Sequence, residues 1–274
     1  MKTERSKISI HVVVECGVNW NTVDEALLMI EEAKKANSNY VKFQVFNKEI
    51  IANSPLRERL EKLILTEEGV KYLKAKADAV EIGFILTPMY LEAVDIAAKY
   101  ADLIKIRFKD HENQQLIDKA LETGKTLLIS DPYRPIGQYM YHPRIKWMYC
   151  VSRNGVALYP PEPEDFNLDA VACCDGFSSH YPYTILDLAY AINRFSEEAY
   201  IEKHVMLAHR GKGGENTFDY YIPTGEVEGS VMSPWKGAES SEIPIDANVS
   251  IEFSELEIFI SNLHLIERIK RTRI

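Results

Sequence analysis

Short runs of β-branched and aromatic residues alternate with amphipathic stretches along almost the whole chain, the pattern of repeated strand and helix units feeding a parallel sheet. Eight runs have strand character: 8–16 (ISIHVVVEC), 40–46 (YVKFQVF), 82–88 (IGFILTP), 103–108 (LIKIRF), 126–130 (TLLIS), 146–152 (KWMYCVS), 176–180 (GFSSH) and 200–206 (YIEKHVM). After the first of them, TVDEALLMIEEAKKA carries Val23, Leu27, Ile30 and Ala33 near helical spacing, with Thr22 as the N-cap. Further helices are predicted at 67–79, 90–100, 113–123, 184–196 and 251–270. Two connections are weak. Residues 131–144 hold three prolines and leave little room for a helix, and NLDAVACC supports only a short one.

Eight strands with interleaved helices in 274 residues predict an α/β fold of the (β/α)8 TIM-barrel type, in a single domain. The rival open sheet lacks its main mark, a GxGxxG turn after the first strand. Residues 1–274 are read as one domain, with a Gly-, Pro- and Ser-rich extended loop at about 208–249 before a final helix at about 251–270.

Composition narrows the function classes. With 46% hydrophobic residues the chain can bury a large core. No apolar run approaches the roughly 20 residues of a membrane span, and MKTERSKISIHVVVEC lacks a secretory pattern. A cytoplasmic protein without membrane partners is expected. Cys16, Cys150, Cys173 and Cys174 show no CxxC spacing and read as reduced thiols. A net charge of −9 argues against nucleic-acid binding. Local lysines can still make a cleft cationic toward a small anion.

Sorting each strand by parity gathers polar residues on one face near its carboxyl end. Lys42 and Gln44 oppose Val41, Phe43 and Val45; Lys105 and Arg107 oppose Ile104, Ile106 and Phe108. Ser178 pairs with His180, Glu202 with His204, and Glu15 shares the face of Val13. With Thr87 and Ser130, these residues would converge in the barrel mouth, where such folds keep their active sites. The set combines cations, hydroxyls, two imidazoles and two carboxylates, which suits a phosphorylated, carboxylated substrate and a metal. A bland reading stands beside it: single lysines at strand ends are usually solvated, and the two histidines can serve as partners of Glu15 or Glu202. Cys16 has the opposite parity and belongs to the helical layer. Lys203 also lies on that outer face, opposite an acid still to be identified, and is left outside the set.

VVVECGVNWN, YVKFQVF, LIKI, YPPEPEDFNL, GFSSH and YIEKHVML, in this order over about residues 8–207, resemble the landmarks of the N-acetylneuraminate (sialic acid) synthase family, AEIGVNHNG, AVKFQTF, VKIGSGE, YPTPPEDVNL, GLSDHT and IEKHFTL. The resemblance implies a condensation of phosphoenolpyruvate with an open-chain N-acylated hexosamine, N-acetylmannosamine-like or a diacetamido-hexose, to give a nonulosonic 2-keto acid. It implies a divalent cation, Mn2+ or Mg2+, on His180 and His204. Lys42, Thr87, Lys105, Ser130 and Ser178 fall where the family holds phosphoenolpyruvate, with Arg107 an added phosphate contact. Glu15, Gln44 and Tyr159 match positions that orient the sugar or handle protons, Glu202 matches the acid beside the metal, and Glu215 in GKGGEN stands in for a family aspartate. A homodimer is the expected assembly.

The chain also departs from the pattern. Trp20 replaces a usual His, KIRFKD replaces KIGSGE, Ser179 replaces the Asp of SDH, an insertion precedes the Tyr-Pro landmark and a C-terminal antifreeze-like domain is expected to be missing. These departures keep two alternatives open: a noncatalytic phosphoenolpyruvate- and metal-binding barrel partnering another synthase, and a phosphoenolpyruvate-dependent synthase using a different aldose or a sugar phosphate.

Overall fold

The computed structural model describes residues 9–132, 137–153, 156–157, 165–181, 184–193, 198–207, 221–223, 230–232, 244–246 and 249–273. Eight parallel strands form the barrel: β1 Ser9–Gly17, β2 Tyr40–Val45, β3 Gly83–Pro88, β4 Leu103–Ile106, β5 Leu127–Asp131, β6 Ile145–Tyr149, β7 Gly176–Ser179 and β8 Glu198–Met206. Each pairs with the next, and β1 also pairs with β8 from Ser9 opposite Glu198 to Glu15 opposite His204, which closes the sheet. The (β/α)8 expectation holds.

Around the barrel lie α1 Val23–Lys35, α2 Arg57–Glu61, α3 Glu67–Ala79, α4 Leu91–Tyr100, α5 Gln114–Glu122, α6 Leu168–Cys173, α7 Ile185–Asn193 and α8 Phe253–Arg273. Thr22 caps α1 by accepting a hydrogen bond from the Glu25 amide, as its position before the apolar stripe predicts. The five-residue α2 has no buried residue and was not foreseen from periodicity. Between β5 and β6 no helix occurs among the described residues, in keeping with the prolines there. The predicted loop at 208–249 falls mostly outside the described residues. None of the described helices is long and apolar enough to cross a membrane.

Strand alternation builds two cores. Outward residues such as Val12, Val14, Cys16, Val41, Phe43, Phe84, Leu86, Ile104 and Ile106 pack against Ala26, Met29, Ile30 and Ala33 of α1 and the equivalent faces of the other helices. Inward, Val13, Ile85, Leu128, Met148 and Tyr200 fill the barrel centre as a separate cluster. Moving two residues toward the carboxyl end of these strands replaces apolar side chains with Glu15, Thr87, Ser130, Cys150 and Glu202. The apolar plug therefore forms the floor of a polar mouth.

One strand boundary differs from expectation in a way that touches the site. β4 ends at Ile106 and Phe108–Asp110 form a 3-10 turn, so Arg107 leaves the strand parity that grouped it with Lys105. Trp20 is buried in the outer core, its indole N–H donating to the Gly17 carbonyl at 3.0 Å.

Candidate active site at the carboxyl end of the barrel

Glu15, Lys42, Thr87, Lys105, Ser130, Ser178, His180, Glu202 and His204 are all buried, Lys42 and Glu202 within their strands and the others at or near the carboxyl ends of theirs. The residues that parity grouped thus lie at the same end of the barrel. Glu202 is the hub. Its Oε2 lies 2.9 Å from Lys105 Nζ and 3.6 Å from Lys42 Nζ, and its Oε1 accepts a 2.9 Å hydrogen bond from Ser178. Burial alone would raise the Glu202 pKa, but the ammonium groups of Lys105 and Lys42 outweigh it and hold the carboxyl well below the usual range.

Lys42 also pairs with Glu15 and donates to Thr87 Oγ1 at 3.4 Å, while Gln44 donates to Glu15 Oε1 at 3.1 Å. Burial pulls the Lys42 ammonium from 10.5 to about 8, with Glu202 opposing the fall. Lys105 is 1% exposed, and its Nζ has no aligned hydrogen-bond partner among the described residues beyond the close approach to Glu202. An ammonium carries three N–H donors, so Lys105 keeps donors to spare in a dry site.

The imidazoles of His180 and His204 face one another with ring centroids 5.0 Å apart. Glu202 lies close enough to act electrostatically on both rings. His180 Nδ1 lies 3.6 Å from Cys150 Sγ, and His204 Nδ1 lies 3.6 Å from Asp246 Oδ2. Burial, then the neighbouring His204, lowers the His180 pKa well below its ordinary value, so that ring is neutral. Burial pushes the Cys150 thiol up to about 12, so it stays protonated. Two imidazoles, at least one of them held neutral, suit a divalent ion: nitrogen–metal bonds of about 2.1 Å at ordinary coordination angles set ring centres roughly 5 Å apart. Among the described residues no group of three or more His, Cys, Asp or Glu is arranged as a complete ligand set. The residues present fit a cation on two nitrogens with its other positions open.

Arg107 stands apart. Its guanidinium pairs with Asp110 and its Nη1 approaches Met89 Sδ at 3.0 Å, so it lies at the rim and not among the lysines. Tyr159 and Glu215 lie outside the described residues. Three residues of the mouth were not foreseen. Cys150 could have been found, since it continues the parity of Met148 at the end of β6. Asp246 and Asn19 arrive on loops and carry no periodic signal.

A family model described as the NeuB family matches residues 29–220. An uncharacterized protein of Methanocaldococcus jannaschii, MJ1065, is 29% identical over 225 residues, 75% of this chain and 64% of that protein. The chain therefore spans less than two thirds of that relative's length. Among solved structures, the N-acetylneuraminic acid (sialic acid) synthetase of Leptospira borgpetersenii aligns with a TM-score of 0.69 at 20% identity, covering 94% of this chain and 84% of that one. The spore coat polysaccharide biosynthesis protein spsE of Bacillus subtilis aligns with a TM-score of 0.67 at 18% identity, covering 96% and 70%. At these identities the structural likeness is one of fold.

Proposed function

The chain belongs to the NeuB family, and from that premise we propose that it condenses phosphoenolpyruvate with an open-chain N-acylated hexosamine, giving a nonulosonic 2-keto acid and phosphate. Family and fold support a synthase of sugar biosynthesis; the substrate pair is our reading. The observation that carries it is Lys105, a buried ammonium with N–H donors unpaired, beside a second buried ammonium, Lys42, at the carboxyl end of a barrel. Such donors call for an oxyanion, and phosphoenolpyruvate brings a phosphate and a carboxylate on one small frame.

Lys42 and Lys105 bind those anionic groups, and the hydroxyls of Thr87, Ser130 and Ser178 complete the cradle. Glu202 stays ionised between the two lysines and keeps them apart and oriented. Glu15, held by Gln44 and Lys42, is placed to accept or return a proton at the acceptor sugar. In the reaction C3 of the enol forms the new bond to the aldehyde carbon, whose oxygen takes a proton. Water adds at C2, and the C2–O bond to phosphate breaks. A divalent cation, Mn2+ or Mg2+, assigned to His180 and His204, supplies Lewis-acid polarisation of the aldehyde when bound. Arg107 joins the phosphate contacts only if its pair with Asp110 opens. All four cysteines are free thiols, which fits a cytoplasmic setting.

Purified protein incubated with phosphoenolpyruvate, Mn2+ and a panel of N-acyl hexosamines, plain aldoses and aldose phosphates is expected to release phosphate with an N-acyl hexosamine. Release only with an aldose phosphate moves the acceptor to that class. Binding of phosphoenolpyruvate and Mn2+ with no release from any sugar favours the noncatalytic barrel and ends the synthase reading.

A further inference from the structure

We propose that Asp246 is a working carboxylate of the barrel mouth that fixes the tautomer of His204, and that Asn19 is the residue that positions it. The proposal deepens, and rests on, the reading of His180 and His204 as the cation-holding pair.

Asp246 lies far from the strand motifs in sequence, yet its Oδ2 sits 3.6 Å from His204 Nδ1, with the two side chains 28% and 8% exposed. His204 Nδ1 is buried and has no hydrogen-bond partner within normal distance among the described residues, and Asp246 is the carboxylate that approaches it. Contacts of this kind are commonly long before ligands bind and tighten in the complex.

The approach of Asp246 is held by a clamp. Asn19, 1% exposed, accepts a 2.8 Å hydrogen bond from the Asp246 amide through Oδ1. Its Nδ2 donates at 2.8 Å to the carbonyl of Val205, the residue after His204, and at 2.8 Å to Ser250 Oγ. The Ser250 hydroxyl in turn donates to the Asp246 carbonyl at 2.6 Å. One side-chain amide thus ties the backbone beside His204 to both ends of the turn that presents Asp246. Only a group with an acceptor and two donors can do this, which selects Asn over Asp, Ser or an apolar residue.

A neutral imidazole carries one N–H. With that hydrogen on Nδ1 and directed at a carboxylate, Nε2 keeps its lone pair for a cation and becomes more basic. His180 has a different partner, the Cys150 sulfur, so the two rings are oriented by different groups. The carboxylate-backed ring, His204, is the stronger ligand of the two.

The test uses the full chain with 15N-labelled histidine. In the metal-free protein, His204 is expected as the Nδ1–H tautomer, and Asp246→Ala should shift it toward Nε2–H. Mn2+ affinity, read by electron paramagnetic resonance, should fall about 10- to 100-fold in Asp246→Ala. Asn19→Ala should move both readouts the same way, and the double variant should be no weaker than Asp246→Ala. Should Asn19→Ala fail to fold, Ser250→Ala removes one arm of the clamp and is expected to act in the same direction. An unchanged tautomer in Asp246→Ala overturns the proposal. So does complete loss of Mn2+ binding with the tautomer unchanged, which makes Asp246 a ligand in its own right. If the wild-type protein binds no Mn2+, the cation reading fails, and the tautomer in the metal-free protein still decides the role of Asp246.

Discussion

Lys203 and Asp187 form an ion pair with no exposed surface, Nζ to Oδ2 at 3.0 Å. Lys203 is the outward-facing charge of the YIEKHVM strand, and its acid comes from α7 in the helical layer. The same ammonium donates to Ser179 Oγ at 2.9 Å and to the Tyr181 carbonyl at 2.7 Å, so its bonds bracket His180. Burial lowers the Lys203 pKa and raises that of Asp187, each against the attraction of the other. Replacing Lys203 with Met leaves a buried carboxylate unpaired and is expected to cost about 3–5 kcal/mol. Lys203→Met/Asp187→Leu, which removes both charges, should recover most of it. Urea unfolding measures both; a loss below about 1 kcal/mol in the single variant would show that the pair does not hold the β7 end.

Gly17 makes the next prediction. It sits at the register shift between β1 and β2 with φ of +46°, and a Cβ there would fall 2.5 Å from Glu15 Oε1 and 3.2 Å from Gln44 Nε2. Gly17→Ala must displace the Glu15 carboxylate as well as strain the backbone, at about 1–3 kcal/mol. Synthase turnover at saturating substrate should fall much further than stability does. A variant with a lowered melting temperature and full turnover would separate Gly17 from the site.

Lys42 links affinity to pH. Its folded value of about 8 lies below the ordinary 10.5, so the folded protein releases this proton first as pH rises. Between those two values the unfolded chain holds the extra proton, and the contribution of Lys42 to stability increases with pH. Anion binding runs the other way, because the positive charge disappears through the same window. Phosphoenolpyruvate affinity by calorimetry is expected to weaken from pH 7 to pH 9, and Lys42→Arg, always charged, should flatten that dependence. An identical slope in Lys42→Arg would assign the titration to another group.

The parts of this site that were legible in the sequence share a cause. A barrel strand sends alternate residues inward, so Lys42 and Lys105 stand out against apolar neighbours of the other parity, and Ser178 and Glu202 follow the same alternation. Cys150 was passed over because a cysteine in an apolar run reads as core, and it is indeed buried, though on the inner face. Arg107 was grouped with Lys105 by extending the alternation one residue past the strand, into a turn where the chain no longer alternates. Asn19 sits inside the VVVECGVNWN landmark, but its pairing with Asp246 had no local signature, because hydrogen bonding between segments distant in sequence brings them together.

Lys105 bears on the proposed function and on stability through different partners. Its Nζ lies 2.9 Å from Glu202 Oε2 and has no other aligned hydrogen-bond partner among the described residues. Lys105→Met keeps the shape of the side chain, removes the charge and leaves Glu202 with Lys42 and Ser178 as partners. The fold should lose some stability, because Glu202 keeps only Lys42, which it shares with Glu15, as a charge partner. Phosphoenolpyruvate affinity should drop by about 10- to 100-fold, the worth of a charge-assisted hydrogen bond lost to an anion. Thermal unfolding and calorimetry on the same sample read the two effects independently. A melting temperature that falls while affinity stays constant would make Lys105 a structural partner of Glu202 and leave the anion site to Lys42 alone.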